Sequence, residues 1–481
     1  MTAKNQGPVQ EIWKNEYMSL KLDSITADSA GINLAALDDF VRALEGSQAV
    51  LRGFVLLCHG KAVCRHFWAP YHEDDPIWVY SLSKSFCSTA VGFAVQEGLL
   101  KLDDLVLSFF PEYASKVKDE NCKMMKVQDL LTMRSGHEVD PTGPMVGSPD
   151  WAEYFLTSSY KYKPGTHFVY NSGATYMLSA IVQKLTGLRV FEYLKPRLFA
   201  PLGFGECAWD ASPQGINTGG WGFMVALEDI AKLGLLYLNK GKWNGQQILS
   251  PAWVEDASSV HADNSVTPGA SADWVKGYGY QFWRSQHGFR GDGAFGQYCL
   301  VLPEFDAVLA LSSETGNMQA VLDIVWDKLL SAFNLSSADI EKKISGKIYK
   351  VNENPAGINS FSLQFSPDRL SLGFRTNNDS VQLEAGRFNW LDGVVRLPWG
   401  AFSFIPVVTT AAGAGKVSST FLWLNEHELE IRIVYHNCPH RELLRIKMEG
   451  DGLKLLWYDN IASKALGRGA LNLDSLEGVE K

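Results

Sequence analysis

Apolar residues recur along this chain with two different periods, and the change between them is the first thing the sequence offers. Leu34–Leu44 (LAALDDFVRAL) has helical spacing and stops near Gly46, which predicts an early helix. Two short apolar runs follow, Gly53–Cys58 and Ala62–Trp68, joined across His59-Gly60-Lys61, and they read as a β-hairpin. In the stretch SLSKSFCSTAVGFAVQEGLL, Leu82, Phe86, Ala90 and Phe93 return to helical spacing, with Gly98 as a C-terminal stop. Further helical patterns cover Val127–Met133, Ala174–Leu185 and Leu227–Leu238, and Ala294–Leu302 and Ala307–Ser312 read as neighbouring strands. Two strands before the helices and two after them predict an α/β domain, one antiparallel sheet flanked by helices.

The period changes near Ser336-Ser337-Ala338-Asp339. Beyond it, alternation takes over: Phe361/Leu363/Phe365, Leu370/Leu372/Phe374, Leu429/Ile431/Ile433/Tyr435 and Leu444/Ile446/Met448. Gly, Asn and Asp residues separate these runs at short intervals, which predicts an all-β barrel or sandwich. The expected domains are therefore residues 1–335 and 336–481.

Composition narrows the function. A chain of 481 residues exceeds one ordinary domain, and 46% hydrophobic with 20% charged residues describes a folded globular protein. The net charge of −9, with no basic run, argues against a nucleic-acid partner. Seven scattered cysteines without a CxxC pair read as reduced thiols. The N-terminal residues lack an apolar signal region, and no apolar stretch is long enough to cross a membrane. The expectation is a cytoplasmic protein with no membrane partner.

Candidate chemistry begins at Ser81-Leu82-Ser83-Lys84, an SxxK signature. Positions i and i+3 share a helix face, so the Lys84 amine can reach the Ser81 hydroxyl. A serine is a weak nucleophile until a base takes its proton, and a lysine serves once its surroundings keep it neutral. The plainer alternative makes Ser81 an N-cap of the apolar helix that follows. In favour of chemistry, the start of a buried helix gives Ser81 a favourable dipole and its own backbone N–H for an oxyanion.

Six stretches then stand in order: GFVLLCHGKAV, YSLSKSFCSTAVGFAVQEGLLKLDD, VQDLLTMRSGH, PGTHFVYNSGATYMLSAI, DIAKLGLLYLNKGKWNGQQILS and GDGAFGQYCLVLPE. Through them the chain resembles the serine β-lactamase and penicillin-recognising superfamily, specifically the class C β-lactamase-like hydrolases, over roughly residues 30–330. The resemblance implies that Ser81 is acylated and that Lys84 shares proton transfer with Tyr170, from a motif usually written Tyr-x-Asn. Here the third position is Ser172 and the asparagine falls at Asn171, so either could meet Lys84 or the substrate. The third family motif, usually Lys-Thr-Gly, His-x-Gly or Trp-Gly-Gly, aligns with Gly291-Asp292-Gly293, or with Gly288-Phe289-Arg290 under a gap. The first placement implies a substrate-binding strand and makes the Ala294 N–H the partner of Ser81 N–H in an oxyanion hole.

The expected function is hydrolysis of a small ester or amide through a Ser81 acyl-enzyme, weak on β-lactams. The alternative is a penicillin-binding sensor on the same fold that acylates without turnover. His436-Asn437-Cys438-Pro439-His440 contains metal-ligand residue types, but no second pair at zinc spacing accompanies it, and neither metal nor other cofactor is expected. The partner is a small-molecule substrate. The β-rich region could recognise substrate, cover the cleft or mediate a homodimer.

Overall fold

The computed structural model describes residues 12–13, 20–267, 269–333, 337–354, 357–366, 368–377, 379–387, 390–395, 415–425, 428–436, 441–449, 452–459 and 471–474. They form two compact units, one of Met1–Ile25 with Phe40–Asp327 and the other of Thr26–Asp39 with Lys328–Lys481.

In the first unit a six-stranded antiparallel sheet carries the helices. Its strands are β1 (Val50–Cys58), β2 (Lys61–Phe67), β3 (Trp283–Arg284), β4 (Phe289–Gly293), β5 (Gln297–Leu302) and β6 (Ala307–Glu314), in the order β2-β1-β6-β5-β4-β3. The β1–β2 turn is the two residues His59 and Gly60, both at positive φ (52° and 74°), as a tight hairpin with right-handed twist requires. The expected strand Ala294–Leu302 starts later, at Gln297. Ala294–Gly296 instead forms the turn out of β4, with Phe295 and Gly296 at φ 67° and 89°.

The longest helices include α1 (Leu34–Glu45), which runs from the second unit into the first, α2 (Ser83–Gln96), α3 (Ser172–Thr186) and α4 (Leu227–Leu238). Gly98 ends α2 at φ 72°, with Gly98 N–H donating to Val95 O and Leu99 N–H to Ala94 O, the paired closure of a left-handed C-terminal stop. The pattern expected over Val127–Met133 stops sooner, as a helix Val127–Leu131, because Met133 takes φ 58°. Every residue of α2 from Ser83 to Ala94 is buried. Its polar positions are satisfied rather than solvated: Ser85 Oγ donates to Gln281 O at 3.0 Å and Ser88 Oγ to Tyr280 O at 2.7 Å. Those bonds fix the depth of α2 against the segment that leads into β3.

The second unit is a ten-stranded sheet that curls into a near-closed barrel, so of the two expected β architectures it is the barrel-like one. Cross-strand pairs place the alternating residues on one buried face: Phe361 opposite Phe374, Leu363 opposite Leu372, Leu429 opposite Ile446, and Ile431 opposite Leu444. No helix among the described residues is long and apolar enough to cross a membrane.

Candidate active site

The segment before α2 is pinned on both sides. Val79 N–H donates to Phe223 O at 3.0 Å, and Ser83 Oγ donates to Tyr80 O at 2.6 Å while accepting from Phe223 N–H at 3.2 Å. Between them Tyr80 takes φ 47°, a left-handed conformation that costs a non-glycine residue on the order of 1 kcal/mol or more. The chain then runs through a 3-10 turn, Tyr80–Leu82, into α2. Ser81 does not cap the helix: the N-cap is Leu82, and no side-chain bond closes it. The Ser81 hydroxyl, half-buried at the mouth of this turn, is left for another partner.

That partner is Lys84. Its Nζ lies 3.0 Å from Ser81 Oγ, 3.0 Å from Ser172 Oγ and 2.8 Å from Gly220 O, and the residue is 1% exposed. All three partners are neutral oxygens. Burial therefore pulls the amine down to about 7, against a smaller upward pull from the Asp140 and Asp292 carboxylates. As an ammonium, Lys84 has three donors for three oxygens; as an amine it has two donors and a lone pair. A carbonyl only accepts, so Gly220 O must keep one donor, and the lone pair is available to a hydroxyl.

The start of α3 settles which residue meets this lysine. Asn171 is the N-cap: its Oδ1 accepts from Ala174 N–H at 3.0 Å, and its Nδ2 donates to Ser135 Oγ at 3.1 Å. Both ends of the amide are engaged and the residue is fully buried, so the expectation of Asn171 at the substrate is corrected. Ser172, the first residue of the helix, turns toward Lys84 instead. Tyr170 lies 4.8 Å from Lys84 Nζ to ring centroid, stacked on Trp283 at 5.2 Å and 23°, with Tyr278 edge-on at 6.2 Å. Burial and then the Asp292 carboxylate push the Tyr170 phenol well above its usual range, while a hydrogen bond with Ser81 pulls the other way.

β4 lies against the helix start, and its glycines explain how. A methyl group on Gly291 would sit 2.6 Å from Ser85 Oγ, and one on Gly293 would sit 2.0 Å from Val79 O and 3.2 Å from Ser81 N. No side chain fits at either place. This favours Gly291-Asp292-Gly293 over the gapped alternative, because Gly288 is in the turn at the far end of β4, against Val301 O. It also corrects two expectations. Gly291 and Gly293 face the helix rather than a ligand, and Asp292 is buried, paired through Oδ2 with Arg290 Nε at 2.9 Å.

Three features escaped the sequence reading. Gly220 contributes only a carbonyl, although the run Thr218-Gly219-Gly220-Trp221-Gly222 marked a loop of close approaches. The exposed Asp140 accepts weakly from Ser172 N–H, at 3.4 Å, and carried no motif. Trp283, the ring on which Tyr170 stacks, comes to that place through the pairing of β3 with β4 and carried no motif. A hollow of about 290 Å³ opens between Arg52, Trp78, Tyr80, Phe295, Gln297 and Glu314, of which Tyr80 directly precedes Ser81 in the chain. Among the described residues no group of His, Cys, Asp and Glu is gathered to hold a metal ion. Of His436–His440, only His436 is described, bonded to Ser418 Oγ at 2.6 Å; residues 437–440 lie outside the described residues.

Residues 37–329 match the family model described as Beta-lactamase. The 6-aminohexanoate-dimer hydrolase of Paenarthrobacter ureafaciens is 27% identical over 294 residues, 57% of this chain and 74% of that protein. Lovastatin esterase of Penicillium rubens and D-aminopeptidase of Brucella anthropi are each 27% identical, over 28% and 36% of this chain and only 40% and 35% of their own lengths. Two solved structures share the fold. EstCE1, a hydrolase with promiscuous acyltransferase activity, has TM-score 0.51 and 16% identity over 62% of this chain and 99% of its own. A penicillin-binding protein homolog from Caulobacter crescentus has TM-score 0.52 and 13% identity over 64% and 100%.

Proposed function

The chain belongs to the β-lactamase family and is a serine hydrolase, and from that premise we propose that it cleaves a small ester or amide through an acyl-enzyme on Ser81. The observation that carries this reading is the Ser81–Lys84 contact at 3.0 Å, made by a buried lysine whose other partners are also neutral oxygens. Such an amine is a proton acceptor near neutral pH, which a serine nucleophile needs.

In the proposed reaction Ser81 Oγ attacks the substrate carbonyl carbon as its proton passes to Lys84. The oxyanion accepts from the N–H groups of Ser81 and Ala294. Collapse breaks the bond to the leaving group, which takes a proton from Lys84 through Tyr170. The upward pull on the phenol suits that role, because Tyr170 stays protonated and able to donate. A water then attacks the acyl ester with the same groups in reverse order. The relatives' names, a dimer hydrolase, an esterase and an aminopeptidase, span ester and amide cleavage.

Substrate charge follows from β4. Relatives with Lys-Thr-Gly place a cation beside the substrate carboxylate, a contact worth about 1.5–3 kcal/mol, or roughly ten- to a hundredfold. Gly291 stands there in this chain, and Arg290 is fully buried and paired to Asp292, so it does not replace that cation. Uncharged esters and amides are the expected substrates, and kcat/KM for p-nitrophenyl butyrate should exceed that for nitrocefin.

A fluorophosphonate probe tests the assignment. Peptide mapping should find it on Ser81, and Ser81→Ala should abolish ester hydrolysis with the circular dichroism spectrum unchanged. Labelling of a different serine, or activity surviving in Ser81→Ala, would overturn it.

A further inference from the structure

We infer that Trp283, anchored by the buried Arg290–Asp292 pair, is a positioning residue that holds the Tyr170 ring beside Ser81 and Lys84; this rests on the acid/base role just proposed for Tyr170. The argument starts from register. Arg290 pairs with Trp283 across β4 and β3, so their side chains share one face of the sheet, and Asp292, two residues along, shares it too. The opposite face of β4, at Gly291 and Gly293, is taken by the start of α2.

On that shared face the contacts close into a frame. Arg290 Nε bonds Asp292 Oδ2 at 2.9 Å, and its Nη1 donates to Ser285 Oγ at 2.8 Å, Arg284 O at 3.0 Å and Asp273 O at 3.1 Å. The guanidinium lies over Trp274 at 4.5 Å and over Trp283 at 5.8 Å. Nη2 finds no acceptor among the described residues, so the aromatic faces are what stabilise that side of the cation. The Asp292 carboxyl, pushed up by burial, is pulled back first by Arg290 and then, among smaller contributions, by the Trp283 indole. The indole thus lies beside both members of the pair, and Tyr170 stacks on the same ring. Tyr278 closes the edge of both rings, 4.7 Å from Trp283 and 6.2 Å from Tyr170.

In the alignment with Lys-Thr-Gly the lysine position falls at Gly291, on the face of β4 opposite this frame. Here no charge is presented at that point. Orientation of the phenol comes from stacking on the Trp283 ring, which the charged pair holds in turn. A misplacement of about 1 Å at an acid/base group costs up to a hundredfold in rate, so holding the ring is a kinetic matter.

A double-mutant cycle tests the inference on the full chain, with p-nitrophenyl butyrate as substrate. Trp283→Leu should lower kcat on the order of ten- to a hundredfold with KM nearly unchanged. Trp283→Phe keeps a stacking ring and should restore most of that loss. In the Tyr170→Phe background, Trp283→Leu should have almost no further effect, because the oxygen it positions is already gone. Multiplicative losses, or no rescue by Trp283→Phe, would overturn the inference while leaving the role of Tyr170 intact. If Tyr170→Phe alone keeps full activity, both readings fall. Should Trp283→Leu not fold, Asp292→Asn serves as the second arm: it weakens the anchor and should show the same dependence on the Tyr170 oxygen, and independence would count against the inference.

Discussion

Two lysines of the first unit are buried almost completely, and both lie three residues after a polar partner at a helix start. Lys232, in α4, contacts the carboxylate of Asp229 at 2.7 Å and Gly203 O at 2.7 Å. Lys84 meets two hydroxyls and a carbonyl. Burial and spacing are the same, so neither can be what sets the two apart. The partners differ: Lys232 faces a carboxylate, whereas the neutral oxygens around Lys84 leave its desolvation largely uncompensated and bring the amine to about 7. One pair holds the helix in place, and the other can exchange a proton.

Substituting each lysine by an isosteric apolar residue should separate the two roles most sharply. Lys84→Met should reduce kcat/KM by about 10³-fold or more. It should not destabilise the fold. The linkage runs in the following sense: the folded amine sits at about 7 and the unfolded one at about 10.5, so between these values the unfolded chain binds one proton more. Stability therefore rises with pH across that window, and the amine's penalty is greatest below pH 7. Lys84→Met removes this slope, which urea unfolding at pH 6 and pH 9 would detect. Lys232→Met should do the reverse. It leaves Asp229 buried without its cation, costing about 3–5 kcal/mol in urea unfolding, with the kcat of the surviving folded enzyme little changed. Loss of activity in folded Lys232→Met, or severe destabilisation in Lys84→Met, would break the comparison.

Tyr170→Phe comes next. Removing only the phenolic oxygen should slow acylation about a hundredfold, measured as the burst rate with a p-nitrophenyl ester. A near-normal rate would mean that Lys84 acts alone. The pH profile reads the lysine in the native enzyme: kcat/KM should rise about tenfold per unit on the acid side and level off near pH 7, as the amine loses its proton. A profile flat from pH 5 to 9 would contradict the assignment of Lys84 as base. The smallest effect is expected from Ser172→Ala. Its Oγ accepts from the ammonium, so its loss disfavours the charged form, moving the acid limb to lower pH with a rate loss of a few-fold. Movement of the limb to higher pH would show that the Ser172 hydroxyl donates to the amine rather than accepts.

Local rules sufficed for much of this molecule. Period and punctuation alone marked the hairpin at His59-Gly60, the helix ended by Gly98, and the alternating strands of the second unit, because each rests on contacts between residues near in sequence or opposite in a ladder. The i, i+3 spacing of Ser81 and Lys84 was equally legible, since a single helical turn brings the pair together whatever surrounds it. The choice between Asn171 and Ser172 was not. It depended on Asn171 being needed as the N-cap of α3, with Ser135 waiting for its amide, and that left Ser172 for the lysine. Gly220 offered no side chain to recognise, only a carbonyl delivered by a loop 136 residues away. The fate of Arg290 was likewise a matter of register. A strand's faces alternate every residue, so the same side chain could have faced the substrate or the sheet's interior, and only the packing of Gly291 and Gly293 against the helix start decided which. Sequence spacing put Ser81 and Lys84 one helical turn apart, while the neutral partners of that lysine, its third oxygen and the ring beside Tyr170 depend on atoms that only the folded chain brings within reach.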